Sequence, residues 1–166
     1  MPGCARWKVP DFGIMRLGMI SPWWVLKIIA ALTLLSKMVV ASLGYWSIST
    51  PIVNITAWPA QLLVILAGIF NLWHFRILKK SAGEIGEPRI LVTAGGCLPR
   101  IRHPMYTGDL FLMLGLWLLY FDLWGGLLWI AGVTGVVQQA RFEDRQLAQR
   151  FGEQHRVWRQ NSRLLL

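Results

Sequence analysis

Four long apolar stretches, separated by polar connections, constrain the fold of this chain more than any other feature of its sequence. They occupy residues 22–45, 58–75, 104–121 and 123–139, and only Asp122 separates the last two, which is typical of a tight helical hairpin. A helix rises about 1.5 Å per residue, so roughly 20 apolar residues cross the ~30 Å hydrocarbon layer of a bilayer. Hydrophobic residues make up 55% of the 166-residue chain. The sequence therefore predicts one all-α integral membrane domain of about four transmembrane helices.

The basic residues predict how this bundle is oriented. All but two of the 17 Lys and Arg residues lie in segments 1–21, 76–103 and 140–163. By the positive-inside rule this places both termini in the cytoplasm, and we expect a multi-pass protein of a bacterial inner membrane. The two exceptions, Lys27 and Lys37, lie near the ends of the first stretch, where we expect them to reach toward the interfaces. The net charge of +9 favours anionic membrane lipids as partners, and no nucleic acid is expected.

The cysteines and histidines do not predict a metal site. Cys4 and Cys97 both fall on the predicted cytoplasmic side and form no CxxC pair. The histidines, His74, His103 and His155, lie in separate segments without the spacing of metal ligands.

The stretch RIRHPMYTG, residues 100–108, crowds basic residues against the third apolar stretch. Proline is favoured at the first position of a helix, so Pro104 is predicted to begin the third helix. The backbone N–H groups of Met105 and Tyr106 would then be free at the positive end of the helix dipole, beside Arg102 and His103. This arrangement suits a carboxylate or a phosphate. The alternative is that the basic residues only anchor the helix end to lipid phosphates.

Segment 140–163 predicts a cytoplasmic amphipathic helix, because most of its arginines share one face at about 100° per residue while apolar residues gather on another. Gly152 is the position at which this helix would break. Glu143 falls toward the apolar side, where a carboxylate without a partner is costly. A bound cationic or hydroxyl-rich ligand would supply that partner.

Two segments of the chain together resemble a known family. They are LVTAGGCLPRIRHPMYTG, residues 91–108, and ARFEDRQLAQRFGEQHRVWRQNSR, residues 140–163. The pair is similar to the isoprenylcysteine carboxyl methyltransferase superfamily and its short prokaryotic relatives, which are related to phospholipid methyltransferases. The family pattern is roughly L-V-T-x-G-P-Y-x-x-x-R-H-P-x-Y-x-G, a helical hairpin, and E-E-x-x-L-x-x-x-F-G-x-x-Y-x-x-Y. The resemblance covers residues 89–163.

The resemblance implies a membrane methyltransferase that binds S-adenosylmethionine in a cytoplasmic pocket closed by the tail. It implies that the cofactor is contacted by residues at the matching positions: Leu91, Val92, His103, Pro104, Met105, Tyr106 and Glu143. Arg102 is expected beside them. The methyl acceptor would be lipophilic or another small molecule delivered through the membrane, with a carboxylate, thiol or amine as the reacting group. No side chain is assigned as a catalytic base.

The chain departs from the family pattern at several positions. Gly96, Cys97 and Leu98 replace Gly-Pro-Tyr, so the expected aromatic contact is absent. The second glutamate is Asp144, and the later tyrosines are His155 and Trp158. Gln139 stands where the eukaryotic enzymes carry an arginine for the substrate carboxylate. The resemblance therefore supports the cofactor better than it supports a prenylcysteine substrate.

Two other functions compete with methyl transfer. A membrane reductase related to the sterol reductases would bind NADPH with a related C-terminal arrangement. A non-enzymatic membrane partner protein would use Asp109 as an intramembrane ionic group. For Asp109 we expect a structural role instead, with its carboxyl group satisfied inside the bundle.

Overall fold

A computed structural model describes residues 7–8, 21–42, 51–82, 90–91, 93 and 96–165. In these ranges the chain forms five helices: α1 (Pro22–Ser42), α2 (Pro51–Ala82), α3 (Pro104–Leu118), α4 (Leu123–Phe151) and α5 (Glu153–Asn161). Two short strands, β1 (Trp7–Lys8) and β2 (Ile90–Leu91), pair antiparallel with Trp7 opposite Leu91. The helical architecture confirms the all-α part of the predicted fold class.

Within the described residues, two helices contain segments that are long and apolar enough to cross a membrane. These segments are Pro22–Val40 of α1 and Ala57–Lys80 of α2. Both helices expose large apolar side chains, among them Leu32 on α1 and Leu62 on α2. The finding supports association with a membrane and agrees with the first two predicted spans.

The helix ends agree with the sequence at some positions and differ at others. Pro104 begins α3, and the helix breaks at Gly152, where φ is +50°, both as predicted. The predicted boundary after residue 139 was wrong, because α4 continues unbroken to Phe151. No Gly or Pro lies between residues 140 and 151, and most of the side chains there favour a helix. The predicted fourth span and the first half of the predicted tail helix are therefore one helix.

The helices pack in two pairs, α2 along α3 and α1 along α4, and α3 and α4 join the pairs as a hairpin. Glycines permit close approach in both pairs. A Cβ at Gly115 would lie 3.1 Å from the carbonyl oxygen of Ala60, and one at Gly135 would lie 2.9 Å from the backbone nitrogen of Lys27. Small residues at helix crossings are typical of membrane bundles.

The predicted tight hairpin is confirmed, and Asp122 holds its turn. One oxygen of the Asp122 carboxylate accepts the N–H of Gly125 at 2.9 Å and caps α4. The other accepts Lys37 Nζ at 2.5 Å. The backbone carbonyl of Asp122 accepts the indole N–H of Trp117 at 3.0 Å. The turn between α3 and α4 is thus tied to α1.

The two lysines of α1 form ion pairs with the helical hairpin, Lys27 with α3 and Lys37 with the turn between α3 and α4. Lys27 pairs with Asp109 at 3.0 Å and Lys37 with Asp122 at 2.5 Å, and their side chains are only 11% and 14% exposed. Lys37 thus lies at one end of the bundle, and only Lys27 departs from the prediction that both lysines reach toward the interfaces, because it finds a carboxylate on α3. Asp109 also accepts Nδ2 of Asn71 at 2.9 Å, which confirms the predicted structural role of its carboxyl group.

Candidate functional site

A polar cluster connects all four long helices on one side of α3. Its members bear charged or hydrogen-bonding groups and are joined by direct contacts: Ser21, Lys27, Asn71, His103, Tyr106, Asp109, Gln139 and Glu143. The two segments that resemble the methyltransferase family supply His103, Tyr106 and Glu143. The fold therefore brings together residues that the sequence separates by most of a helical hairpin.

Glu143 lies at the centre of this cluster. Its Oε1 accepts the hydroxyl of Tyr106 at 2.5 Å and Nε2 of Gln139 at 2.8 Å. Its Oε2 lies 3.6 Å from Nδ1 of His103, and the side chain is 34% exposed. Two side chains already hold Oε1, so this carboxylate has partners besides the ligand that the sequence predicts for it. Oε2 is the oxygen that a ligand could reach.

Gln139 and Ser21 hold Glu143 from the other side. The hydroxyl of Ser21 donates to Oε1 of Gln139, whose side chain is buried, and Ser21 also accepts the N–H of Trp24 at the start of α1. The amide oxygen of Gln139 therefore contacts Ser21, just before α1, and the amide nitrogen contacts Glu143. This pairing orients the Gln139 amide and fixes one edge of the carboxylate.

His103 precedes α3 and contributes the most unusual atom of the cluster. Its side chain is buried, its ring stacks against Tyr106 with centroids 5.6 Å apart, and its Nε2 has no hydrogen-bond partner within the described part of the chain. Burial lowers the pKa of His103, against the opposing effect of the carboxylates of Glu143 and Asp144. A buried polar atom without a partner is costly. A ligand that hydrogen-bonds to Nε2 would remove this cost.

The start of α3 offers fewer free groups than predicted. The N–H of Tyr106 donates to the carbonyl of His103 at 3.1 Å, and the N–H of Thr107 donates to the same oxygen at 3.2 Å. The expectation of a free N–H at Tyr106 was therefore wrong. The first turn tightens and satisfies this donor internally.

Arg102 belongs to the contact that holds the C-terminal tail. Its Nε donates to Asp144 at 2.8 Å, and its guanidinium also donates to the carbonyl of Ser162 at 2.6 Å. His155 reaches the same oxygen of Asp144 at 3.0 Å. Backbone hydrogen bonds between segments 100–103 and 163–164 complete the contact. Because its donors are directed at the tail, the structure does not support the prediction that Arg102 faces the cofactor.

The other predicted residues are distributed between the core and the helix start. Leu91 packs in an apolar cluster with Leu98, Phe151 and Trp158. Trp158 also donates its indole N–H to the carbonyl of Leu98 at 3.0 Å. Pro104 is buried and Met105 partly buried at the start of α3, while Val92 lies outside the described residues. Of the predicted set, His103, Tyr106 and Glu143 are the side chains that meet in the polar cluster.

An apolar groove, a cavity of about 330 Å³, opens between α2 and α3. Its lining comes from the two helices and the connection before α3: Leu63, Leu66, Ala67, Phe70, Cys97, Ile101, Thr107, Gly108 and Phe111. It contains none of the predicted cofactor residues. Tyr106 instead turns toward α1 and α4, where Lys27 and Glu143 lie. The groove and the polar cluster share no residue, but they adjoin where α2 meets α3, because a Cβ at Gly108 of the groove lining would collide with Oδ1 of Asn71 in the cluster.

No family model matches the chain, and neither a curated protein nor a solved structure matches it. The family resemblance carried by the two segments thus stays a prediction. In the described ranges, no group of three or more His, Cys, Asp or Glu side chains is placed to hold a metal ion.

Proposed function

We propose that this protein is an S-adenosylmethionine-dependent methyltransferase that acts on a lipophilic acceptor at the cytoplasmic face of a membrane. The observation that carries the proposal is the meeting of His103, Tyr106 and Glu143, which come from the two family-like segments, in one cluster. Within that cluster, the Glu143 side chain is 34% exposed with both of its hydrogen bonds on Oε1, and Nε2 of His103 lacks a partner among the described residues.

These two groups fit the polar parts of the cofactor. Glu143 would accept a hydrogen bond from the amino group or the ribose hydroxyls, since a carboxylate forms strong bonds with cationic and hydroxyl donors. His103 would bind a further polar group through Nε2. The helix dipole at the start of α3 favours negative charge nearby and would suit the cofactor's carboxylate. Arg102 is committed to the tail and is left out of the proposed site.

The bound cofactor supplies an electrophilic methyl group on a sulfonium. The contribution of the protein is then to align the acceptor and exclude water. A carboxylate or thiolate acceptor needs no base, whereas an ammonium must first lose a proton. Because Oε2 of Glu143 and Nε2 of His103 are both assigned to the cofactor in this proposal, a carboxylate or thiolate is the acceptor that the site serves most directly.

The lipophilic character of the acceptor is supported by the surroundings of the site. The α2 helix exposes apolar side chains along the segment that could cross a membrane. The apolar groove between α2 and α3 has the lining that a hydrocarbon chain requires. We propose that the acceptor reaches the enzyme from the bilayer and that this groove holds its chain.

The proposed topology has four spans, with the third in α3 and the fourth in the first part of α4. It is supported by the absence of Lys and Arg from segment 46–57 and from residue 122. Reporter fusions at Asp122 should report the outer side, and fusions at Gln154 the cytoplasm. A cytoplasmic signal at Asp122 would exclude this arrangement.

Calorimetric titration of the protein purified in detergent tests the cofactor directly. We expect saturable binding of S-adenosylmethionine and no binding of NADPH. Binding of NADPH alone would support the reductase alternative, and binding of neither would support the non-enzymatic alternative. Labelled methyl donor incubated with membrane lipid extracts and with small thiols would then identify the acceptor class.

A further inference from the structure

Lys27 makes two contacts that link the intramembrane ion pair to the proposed site. Its Nζ lies 3.0 Å from Oδ2 of Asp109 and 4.4 Å from the centre of the Tyr106 ring. Asn71 fixes the other oxygen of Asp109 at 2.9 Å. The ammonium group is therefore held in place over the aromatic face by groups from α2 and α3.

The position of this cation affects the opposite end of the tyrosine. A cation over an aromatic face is attracted to the ring, most strongly where water is excluded, and the Lys27 side chain is 11% exposed. The same contact fixes the orientation of the ring and therefore the direction of the phenolic O–H. That O–H donates to Glu143 Oε1 at 2.5 Å. Lys27 thus acts on Glu143 without touching it.

We infer that Lys27 is a positioning residue for the proposed site: it holds Tyr106, and Tyr106 holds Glu143 with Oε2 free for the cofactor. Lys27 lies on α1, outside residues 89–163, so the family resemblance does not assign it this role. The inference rests on the proposed function. Its structural part, the link from Lys27 through Tyr106 to Glu143, also exists without a cofactor and can be measured separately.

The chain offers a matched control for this lysine. Lys37 lies on the same helix, pairs with Asp122 at 2.5 Å and is buried to a similar degree. If Lys27 contributed only an ion pair, removing the Lys27–Asp109 pair and removing the Lys37–Asp122 pair would change ligand binding equally. If Lys27 acts through Tyr106, only the Lys27 pair affects the cofactor.

The test compares charge-neutral double variants, because removing one partner of a buried pair leaves the other uncompensated. We expect Lys27→Met with Asp109→Asn to weaken binding of S-adenosylmethionine about three- to tenfold, a change appropriate to a partly desolvated cation–π contact. Lys37→Met with Asp122→Asn should leave affinity unchanged, since Asn also caps a helix. Lys27→Arg keeps the cation and should restore most of the affinity.

A second background separates positioning from a general effect on folding. In Tyr106→Phe, which lacks the hydroxyl, the Lys27 and Asp109 substitutions should no longer alter affinity. An equal loss in both backgrounds, or the same loss in the Lys37 control, would overturn the inference. Circular dichroism and size-exclusion chromatography establish that each variant is folded before titration.

Thermal unfolding keeps the inference distinct from the proposed function. If the wild-type protein binds no S-adenosylmethionine, the proposed function fails, but the link through Tyr106 still predicts non-additive shifts in Tm. The Lys27→Met and Asp109→Asn pair should lower Tm less in the Tyr106→Phe background than in the wild type. Strictly additive shifts would refute the link whether or not the cofactor binds.

Discussion

The hydroxyl of Tyr106 donates a 2.5 Å hydrogen bond to Glu143 and so joins the start of α3 to the second half of α4. This contact closes the hairpin formed by the two helices and brings the two family-like segments together. Gln139 donates to the same carboxylate oxygen, so both hydrogen bonds are made to Oε1 of Glu143. The neighbouring His103 and Oε2 of Glu143 are the groups through which the proposed cofactor would bind.

The cofactor site can be tested with His103→Ala and Glu143→Gln. Each should weaken binding of S-adenosylmethionine by about 1 to 3 kcal/mol, the range for losing a hydrogen bond to a charged group. The loss at Glu143 should lie at the lower end, because its side chain is 34% exposed. Titration calorimetry of the double variant should show coupling if both residues touch one ligand. Unchanged affinity in both single variants would rule out this site, and Arg159→Gln on the exposed face serves as the control.

The tail contact predicts a large loss of stability when Arg102 is replaced. In Arg102→Gln the carboxylate of Asp144, whose side chain is 10% exposed, loses its guanidinium partner and, among the described side chains, keeps the contact with His155 at 3.0 Å. We expect the free energy of unfolding to fall by about 3 kcal/mol, as for other broken buried pairs. Denaturant unfolding measures the change, and limited proteolysis of the tail reports its release.

The control for Arg102 is Arg156→Gln, which breaks an exposed pair with Glu153 of similar length, 3.0 Å. Both side chains of that pair are more than 60% exposed. Such pairs contribute about 0.5 kcal/mol or less. Equal losses of stability in the two variants would show that Arg102 does not hold the tail.

Local signals in the sequence predicted the helix ends. Pro104 and Gly152 act through their own backbone geometry, so their effects did not depend on distant residues. The hairpin at Asp122 was equally local, since the capping carboxylate and the Gly125 N–H lie within one turn. The continuation of α4 beyond residue 139 could not be predicted from composition, because a helix can run unbroken from an apolar into a polar segment.

The side-chain partners could not be predicted in the same way. The inward turn of Lys27 depends on the rotation of α1 relative to α3, which periodicity alone does not give. Opposite charges within two different apolar stretches were the available signal, because an intramembrane lysine and aspartate tend to find each other. Arg102 was assigned to the cofactor because nothing in the sequence shows that residues 162–164 return to it.

Protonation of His103 should make stability depend on pH near neutrality. Burial lowers the pKa of His103 below its usual 6.5, so the folded state prefers the neutral ring. The contribution to stability is therefore complete above the unfolded pKa and is lost as the pH falls through it toward the lower folded pKa. We expect Tm to decrease as the pH falls below about 6.5 more steeply in the wild type than in His103→Gln. Parallel pH profiles would contradict the prediction.

Filling the apolar groove between α2 and α3 should hinder the entry of a hydrocarbon chain. Ala67 is buried in its lining, so Ala67→Phe should occupy space that a hydrocarbon chain would otherwise enter. Cys97 also lines the groove. When Cys4 is replaced by Ser, Cys97 is the remaining cysteine, and its rate of labelling measures how readily a reagent enters the groove. We expect Ala67→Phe to slow labelling of Cys97 by a dodecyl maleimide several-fold, and to affect N-ethylmaleimide much less.

The matched control for the groove is Ile69→Phe, which adds bulk on an exposed face of α2 outside the lining. It should leave both labelling rates unchanged. Binding of S-adenosylmethionine should be unaffected in both variants, because the groove shares no residue with the polar cluster. Equal slowing of both maleimides by Ala67→Phe would mean that the substitution merely covers the thiol. A dodecyl maleimide that is no faster than N-ethylmaleimide in the wild type would mean that the groove does not admit a hydrocarbon chain.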